Sequence, residues 1–290
     1  MALKGKAVAY GAVTIVNAIS CGFGAALGVS LKTEASVELT NEPRRIQGRI
    51  LSDPEESPVL IEKVVNRVLR RFGLEDKYGA YVETRSDIPI ARGLKSSSAA
   101  ANAVTLAVLH ALGREIEDLE AINLGVDAAV DAKVTVTGAF DDACASYFGN
   151  IVVTDNYDRK ILRRFVPEER YPVLIHVPKE KAYTSESNVD RMKLIANHVK
   201  AIHNLALQGD YWQAMTLNGL IYAAALGHNT NIAMDAIAAG ALAAGLSGKG
   251  PAVAAVVPRE KVSEVRNVWE AYGGEIIQTQ INSDKAKVLV

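Results

Sequence analysis

The sequence predicts an α+β protein, with strands and helices mixed and without the strict strand–helix alternation of a doubly wound sheet. Three observations lead there. Residues 8–19 and 25–39 are rich in β-branched and small side chains, and the glycine-containing stretch 21–24 between them reads as a tight turn. Val64, Val65, Val68, Leu69 and Phe72 recur at helical spacing before Gly73. A serine-rich loop at 93–98 then runs into an alanine-rich apolar stretch that reads as a helix to about residue 110.

The remaining elements follow in order. The polar stretch 41–56, with Pro43 and Pro54, predicts no regular element. A short strand is expected at 81–84, a second helix at 116–133 and a strand at 151–154. Residues 155–169 are charged and irregular, so the domain boundary is expected there, giving one half over 1–155 and another over 156–290. Beyond it come a strand at 173–177, helices from about 189 to 244 and a glycine-rich loop at 245–251. A strand at 252–257, a helix at 261–272 and a strand at 275–280 complete the reading.

Composition narrows the function classes. The chain has 290 residues, 49% of them apolar, and a formal net charge of −1, which gives no electrostatic reason to expect nucleic acid or a membrane surface as partner. Two distant cysteines make neither a disulfide framework nor a metal-spaced pair. With no signal-type N-terminus and no long uninterrupted apolar run, a cytoplasmic protein is expected.

Three segments can carry chemistry. In the first, Gly93, Leu94, Lys95, Ser96, Ser97 and Ser98 precede Ala99 at a helix start. The first N–H groups of a helix lack internal acceptors and carry partial positive charge, so a phosphate fits there. An ordinary serine cap explains the same pattern. In the second, three glycines, a serine and Lys249 within 245–251 suit close approach of backbone to a ligand, or a helix cap followed by a turn. In the third, adjacent Asp141 and Asp142 suit a proton acceptor or a metal ligand, or a helix start. Asp127 and Asp131, four apart, share a helix face and are able to aim at one ion or at solvent. No GxxxxGK[ST] motif occurs, and Gly22, Gly24 and Gly28 make a weak dinucleotide signal better read as a turn. The five histidines suggest no zinc site.

The order of these segments resembles the GHMP kinase superfamily. Pro89, Arg92, Gly93, Leu94, Lys95 and the three serines before Ala99 resemble its phosphate loop P-x3-G-L-G-S-S-A-A, with Lys95 in place of a glycine and one additional serine. Gly138 to Asp141 is similar to its G-x-D segment, and residues 245–251 to its C-terminal glycine motif, with Lys249 at a usually small position. Gly5 and Lys6 resemble its N-terminal basic motif. Within the superfamily the chain looks most like the archaeal-type shikimate kinases.

The resemblance implies an N-terminal half like domain 2 of ribosomal protein S5, a ferredoxin-like C-terminal half and an ATP site in the cleft between them. It implies ATP with Mg²⁺ as cofactors and phosphorylation of the 3-hydroxyl of shikimate, in aromatic amino-acid biosynthesis. Homoserine or mevalonate-type acceptors, a decarboxylase and a non-catalytic sensor are the alternatives on the same fold. Carried over residue by residue, Asp141 is the expected base, with its pKa lowered by Lys6. Residues 93–99 with Pro89, Arg92, Gly248, Lys249 and Gly250 are expected to hold the nucleotide. Thr137, Gly138 and Asp142 are expected to face the acceptor, and Ser98 and Asp131 the Mg²⁺.

Overall fold

The computed structural model describes residues 3–135, 138–179 and 189–289. Two sheets organise it. The first is built on a long hairpin, β1 (Lys4–Val16) and β2 (Phe23–Thr40), whose turn contains Gly22 at φ +78°. Strand β2 is long enough to pair with two partners: β4 (Gly79–Ser86) along its C-terminal half and β5 (Ile151–Asp155) along its N-terminal half. Strand β3 (Ile46–Ile50) lies parallel to β4, and helix α1 (Val59–Arg71) makes the crossover between them. Its buried face carries Leu60, Ile61, Val64, Val65, Val68 and Leu69, the helical recurrence seen in the sequence.

Helices α2 (Ser96–Leu112), α3 (Asp118–Asp131) and α4 (Phe140–Phe148) complete this half, α2 packing on β1 and β2. Asn102 Nδ2 on α2 donates to Ala143 O on α4 at 2.9 Å, tying the two helices together below their N-terminal ends.

Strand β6 (Lys160–Phe165) pairs with β5, so the first sheet continues to Phe165, and the boundary expected at 155/156 falls inside it. Charge hid this strand, because Lys160, Arg163 and Arg164 make it mostly exposed and polar. The last strand, β11 (Lys287–Val288), returns to β1.

The second sheet holds β7 (Pro172–Val177), β8 (Ala243–Leu246), β9 (Val253–Val256) and β10 (Glu275–Gln280) in the order β10-β7-β9-β8. Numbered within this half, the order is 4-1-3-2, the ferredoxin-like arrangement. Helices α5 (Val189–Lys193), α6 (Ala196–Gln208), α7 (Tyr211–Leu226) and α8 (Asn231–Ala238) lie between β7 and β8, and α9 (Val262–Glu270) between β9 and β10. The helical run expected to reach 244 ends earlier, since Ala243 to Leu246 form a buried strand too short and too small-sided to stand out from alanine-rich helix.

Candidate active site

The segments singled out in the sequence meet in one cleft between the two halves. Helix α2 starts from Lys95, whose backbone is left-handed at φ 64° and ψ 30°, and no side chain caps it. The serine-cap alternative is therefore removed, because the serines sit inside the first turn. Their exposed N–H groups and hydroxyls leave an anion cradle, and Ser96 and Ser97 line the cleft.

The second glycine loop clamps the first. Ser247 Oγ donates to Gly93 O at 2.7 Å and accepts from Thr14 N at 3.2 Å. Gly248 N donates to Thr14 Oγ1 at 2.8 Å, and Asn17 Nδ2 donates to Gly248 O at 2.8 Å. Gly93 is required by this closeness: at φ +82°, a Cβ there would lie 2.1 Å from Ser247 O.

Asp141 and Asp142 fall in the first turn of α4, after Ala139 at φ 50°, with 4% and 9% of their surface exposed. The helix-start reading is thus correct, and both residues also line the cleft. Asp141 Oδ1 accepts from Asn156 Nδ2 at 2.8 Å, and Asn156 Oδ1 accepts from Thr154 Oγ1 at 2.7 Å. Its other oxygen lies over Gly24, where a Cβ would come within 2.4 Å of it.

Asp142 Oδ2 pairs with Lys95 Nζ at 3.0 Å, both side chains nearly buried, while Asp142 Oδ1 has no hydrogen-bond partner. Burial, then the neighbouring Asp141 charge, raise the Asp142 carboxyl to about 7, against the pull of Lys95. Lys249 also reaches into the cleft, and burial together with Lys95 lowers its ammonium to about 8.

The structure thus brings together Gly93, Leu94, Lys95, Ser96, Ser97, Asp141, Asp142, Gly248, Lys249 and Gly250. Other expected residues lie elsewhere. Lys6 is exposed near the far end of β1, opposite Ser36, roughly 35 Å of strand from Asn17 at the cleft, so its expected pairing with Asp141 is corrected. Asp131 is bound to Arg67 at 2.7 Å on the outer face of α3, away from the cleft. Ser98 and Ala99 turn into the interior, and Gly138 is buried against Val126. Arg92 points its guanidinium at Lys179 O, and neither it nor Pro89 lines the cleft. Thr137 lies outside the described residues.

Asn17, Asn156, Gly24 and Glu56 were missed. Asn156 and Gly24 act through folded contacts with Asp141 that no local pattern announces, and Asn17 bonds the glycine loop across more than half the chain. Glu56 lines the cleft too, together with Ile50, Leu60, Ile61, Thr84 and Ser86. Among the described residues, no group of three or more His, Cys, Asp or Glu is placed to hold a metal, and Asp127 and Asp131 share arginine partners instead.

A cleft between an S5-like half and a ferredoxin-like half, with an uncapped helix start facing a buried carboxylate, defines the class. The GHMP kinases N terminal domain matches residues 59–150 and the GHMP kinases C terminal domain residues 200–275, and the chain belongs to the GHMP kinase family. The chain is 50% identical to a shikimate kinase of Methanosarcina mazei, over 99% of this chain and 97% of that one. It is 48% identical to the shikimate kinase of Methanococcoides burtonii, over 98% of both. Among solved structures, homoserine kinase from Cytophaga hutchinsonii superposes with a TM-score of 0.77 at 19% identity, covering 99% of this chain and 97% of that one. The mevalonate kinase of Methanococcus jannaschii superposes at 0.74 with 18% identity, covering 97% and 98%. These two likenesses establish the fold.

Proposed function

We propose that this kinase transfers the γ-phosphoryl group of ATP to the 3-hydroxyl of shikimate, as a cytoplasmic step in aromatic amino-acid biosynthesis. The observation that carries the transfer chemistry is the juxtaposition, in one cleft, of an uncapped α2 N-terminus with Lys95 and a buried, hydrogen-bonded Asp141. Near-full-length identity to shikimate kinases supports the acceptor.

In this reading the nucleoside lies toward Ile50, Leu60 and Ile61, and the phosphates cross the first turn of α2. The acceptor lies between Asp141, Asn17 to Ile19 and the 248–250 loop. The acceptor oxygen forms its bond to the γ-phosphorus as the bond to the β-phosphate oxygen breaks, the electron pair leaving on ADP. The hydroxyl proton passes to Asp141, whose orientation Asn156 and Gly24 maintain. Little covalent work falls to the protein, and positioning and charge supply most of the acceleration.

Magnesium that accompanies ATP takes most of its ligands from phosphate and water and needs one or two protein oxygens. The Ser96 and Ser97 hydroxyls fit that demand, and they replace Ser98 and Asp131 in the role. When bound, the ion neutralises phosphate charge.

A coupled ADP-release assay with shikimate, homoserine and mevalonate tests the reading. Release on shikimate alone is expected. Release on another acceptor alone overturns the substrate and leaves the kinase.

A further inference from the structure

Lys249 is built into the cleft wall in a way the transfer scheme above does not use. Its Nζ is buried and has no hydrogen-bond partner. The charge it feels most is the like charge of Lys95. A buried ammonium without a partner is costly, and proteins retain one where a ligand completes it.

The backbone that carries it is held from two sides. Gly248 O accepts from Asn17 Nδ2 at 2.8 Å, and Lys249 O bonds the His228 ring Nε2 at 2.9 Å. Gly248 brings the loop against Lys95, since a Cβ there would lie 3.2 Å from Lys95 Nζ. Lys95, in contrast, already has Asp142 as its partner. The loop is bonded to Asn17, and the adjacent Ala18 packs at Gly24 beside Asp141, so the backbone that carries Lys249 is tied to the wall that holds the proton acceptor.

We infer that Lys249 seats an oxyanion of the bound reactants, with the carboxylate of the acceptor as the expected occupant and a phosphate oxygen of the nucleotide as the other source. The inference rests on the kinase reading and deepens it, making Lys249 a residue that selects anionic acceptors. The remaining charged groups of the cleft, Asp141, Asp142, Lys133 and Glu56, do not supply a partner to Nζ.

Calorimetric titration of shikimate, and separately of Mg²⁺ with a non-hydrolysable ATP analogue, into wild type, Lys249→Met and Lys249→Arg tests this. Lys249→Met is expected to weaken shikimate at least tenfold, with Lys249→Arg restoring most of the loss and the nucleotide changing less than twofold. The Tm of unliganded Lys249→Met is expected to rise, because an unpartnered buried charge is gone; a purely structural lysine would lower it. Tenfold weakening of the nucleotide alone keeps the seat and names phosphate as its occupant. Two results overturn the inference: both ligands binding Lys249→Met within twofold of wild type, or a lowered Tm with no rescue by arginine. Failure of the wild type to bind shikimate counts against the acceptor, and the nucleotide titration then decides the role of Lys249.

Discussion

Two pairs of aspartates, a few residues apart in the chain, have opposite fates. Asp127 and Asp131 lie on the outer face of α3, with 34% and 37% of their side chains exposed; they share Arg67 as a partner, and Asp127 also pairs with Arg159. Asp141 and Asp142 start the next helix and are nearly buried. Exposed ion pairs in water contribute little, typically up to about 1 kcal/mol. Buried carboxylates persist only where hydrogen bonds, an opposite charge or a ligand compensate them. Asp141 has Asn156, and Asp142 has Lys95 on one oxygen only. The contrast separates a charge that decorates a surface from one that is available for chemistry.

The comparison breaks most sharply in kcat. Asp141→Asn is expected to reduce turnover by roughly 10²–10⁴-fold, the range of a lost general base, with nucleotide affinity nearly unchanged. Asp131→Asn in the same assay should stay within twofold; equal losses would erase the distinction.

Gly24→Ala comes next. The added methyl collides with the Asp141 carboxylate, so steady-state kinetics should show a fall in kcat well beyond any change in KM for ATP. A neutral result would mean that Asp141 has another productive position.

Removing Lys95 strands Asp142, and loss of one partner from a buried pair typically costs about 3–5 kcal/mol. Because Asp142 then prefers to be protonated, the measured loss in denaturant unfolding should be smaller at pH 6 than at pH 8. The intact protein shows the same sign: a carboxyl raised to about 7 binds more protons folded than unfolded. This group's contribution to stability therefore declines as pH rises from about 4 to 7, and Asp142→Asn should remove that slope. The smallest effect is expected for Asp127→Ala, within about 1 kcal/mol in the same unfolding experiment.

Legibility from sequence followed the range of the interaction. Helix α1 was readable because its apolar spacing is a local consequence of packing on one face. The loop that starts α2 is legible because its glycine, serines and helix start are contiguous in the chain. Strand β3 was hidden by polar composition, β6 by its arginines and β8 by alanines, since each is a strand through its partners rather than its own propensity. Lys6 was assigned by motif position, and the length of β1 carries it away from the cleft. Family resemblance assigns Asp131, and neither it nor helical spacing reports which face points inward; Ser98 is assigned as the last serine before the alanines, where the turn of α2 sends Ser96 and Ser97 to the cleft instead.

By itself the sequence determined the α+β class, the order of the three chemical segments and the family resemblance, because motifs and periodicity are properties of neighbours in the chain. Only the tertiary structure decided which aspartate is supported by Asn156, which serines reach the cleft and which lysine is left without a partner. Those outcomes depend on contacts such as Asn17 to Gly248 and Ser247 to Gly93, which close across most of the chain and leave no local trace.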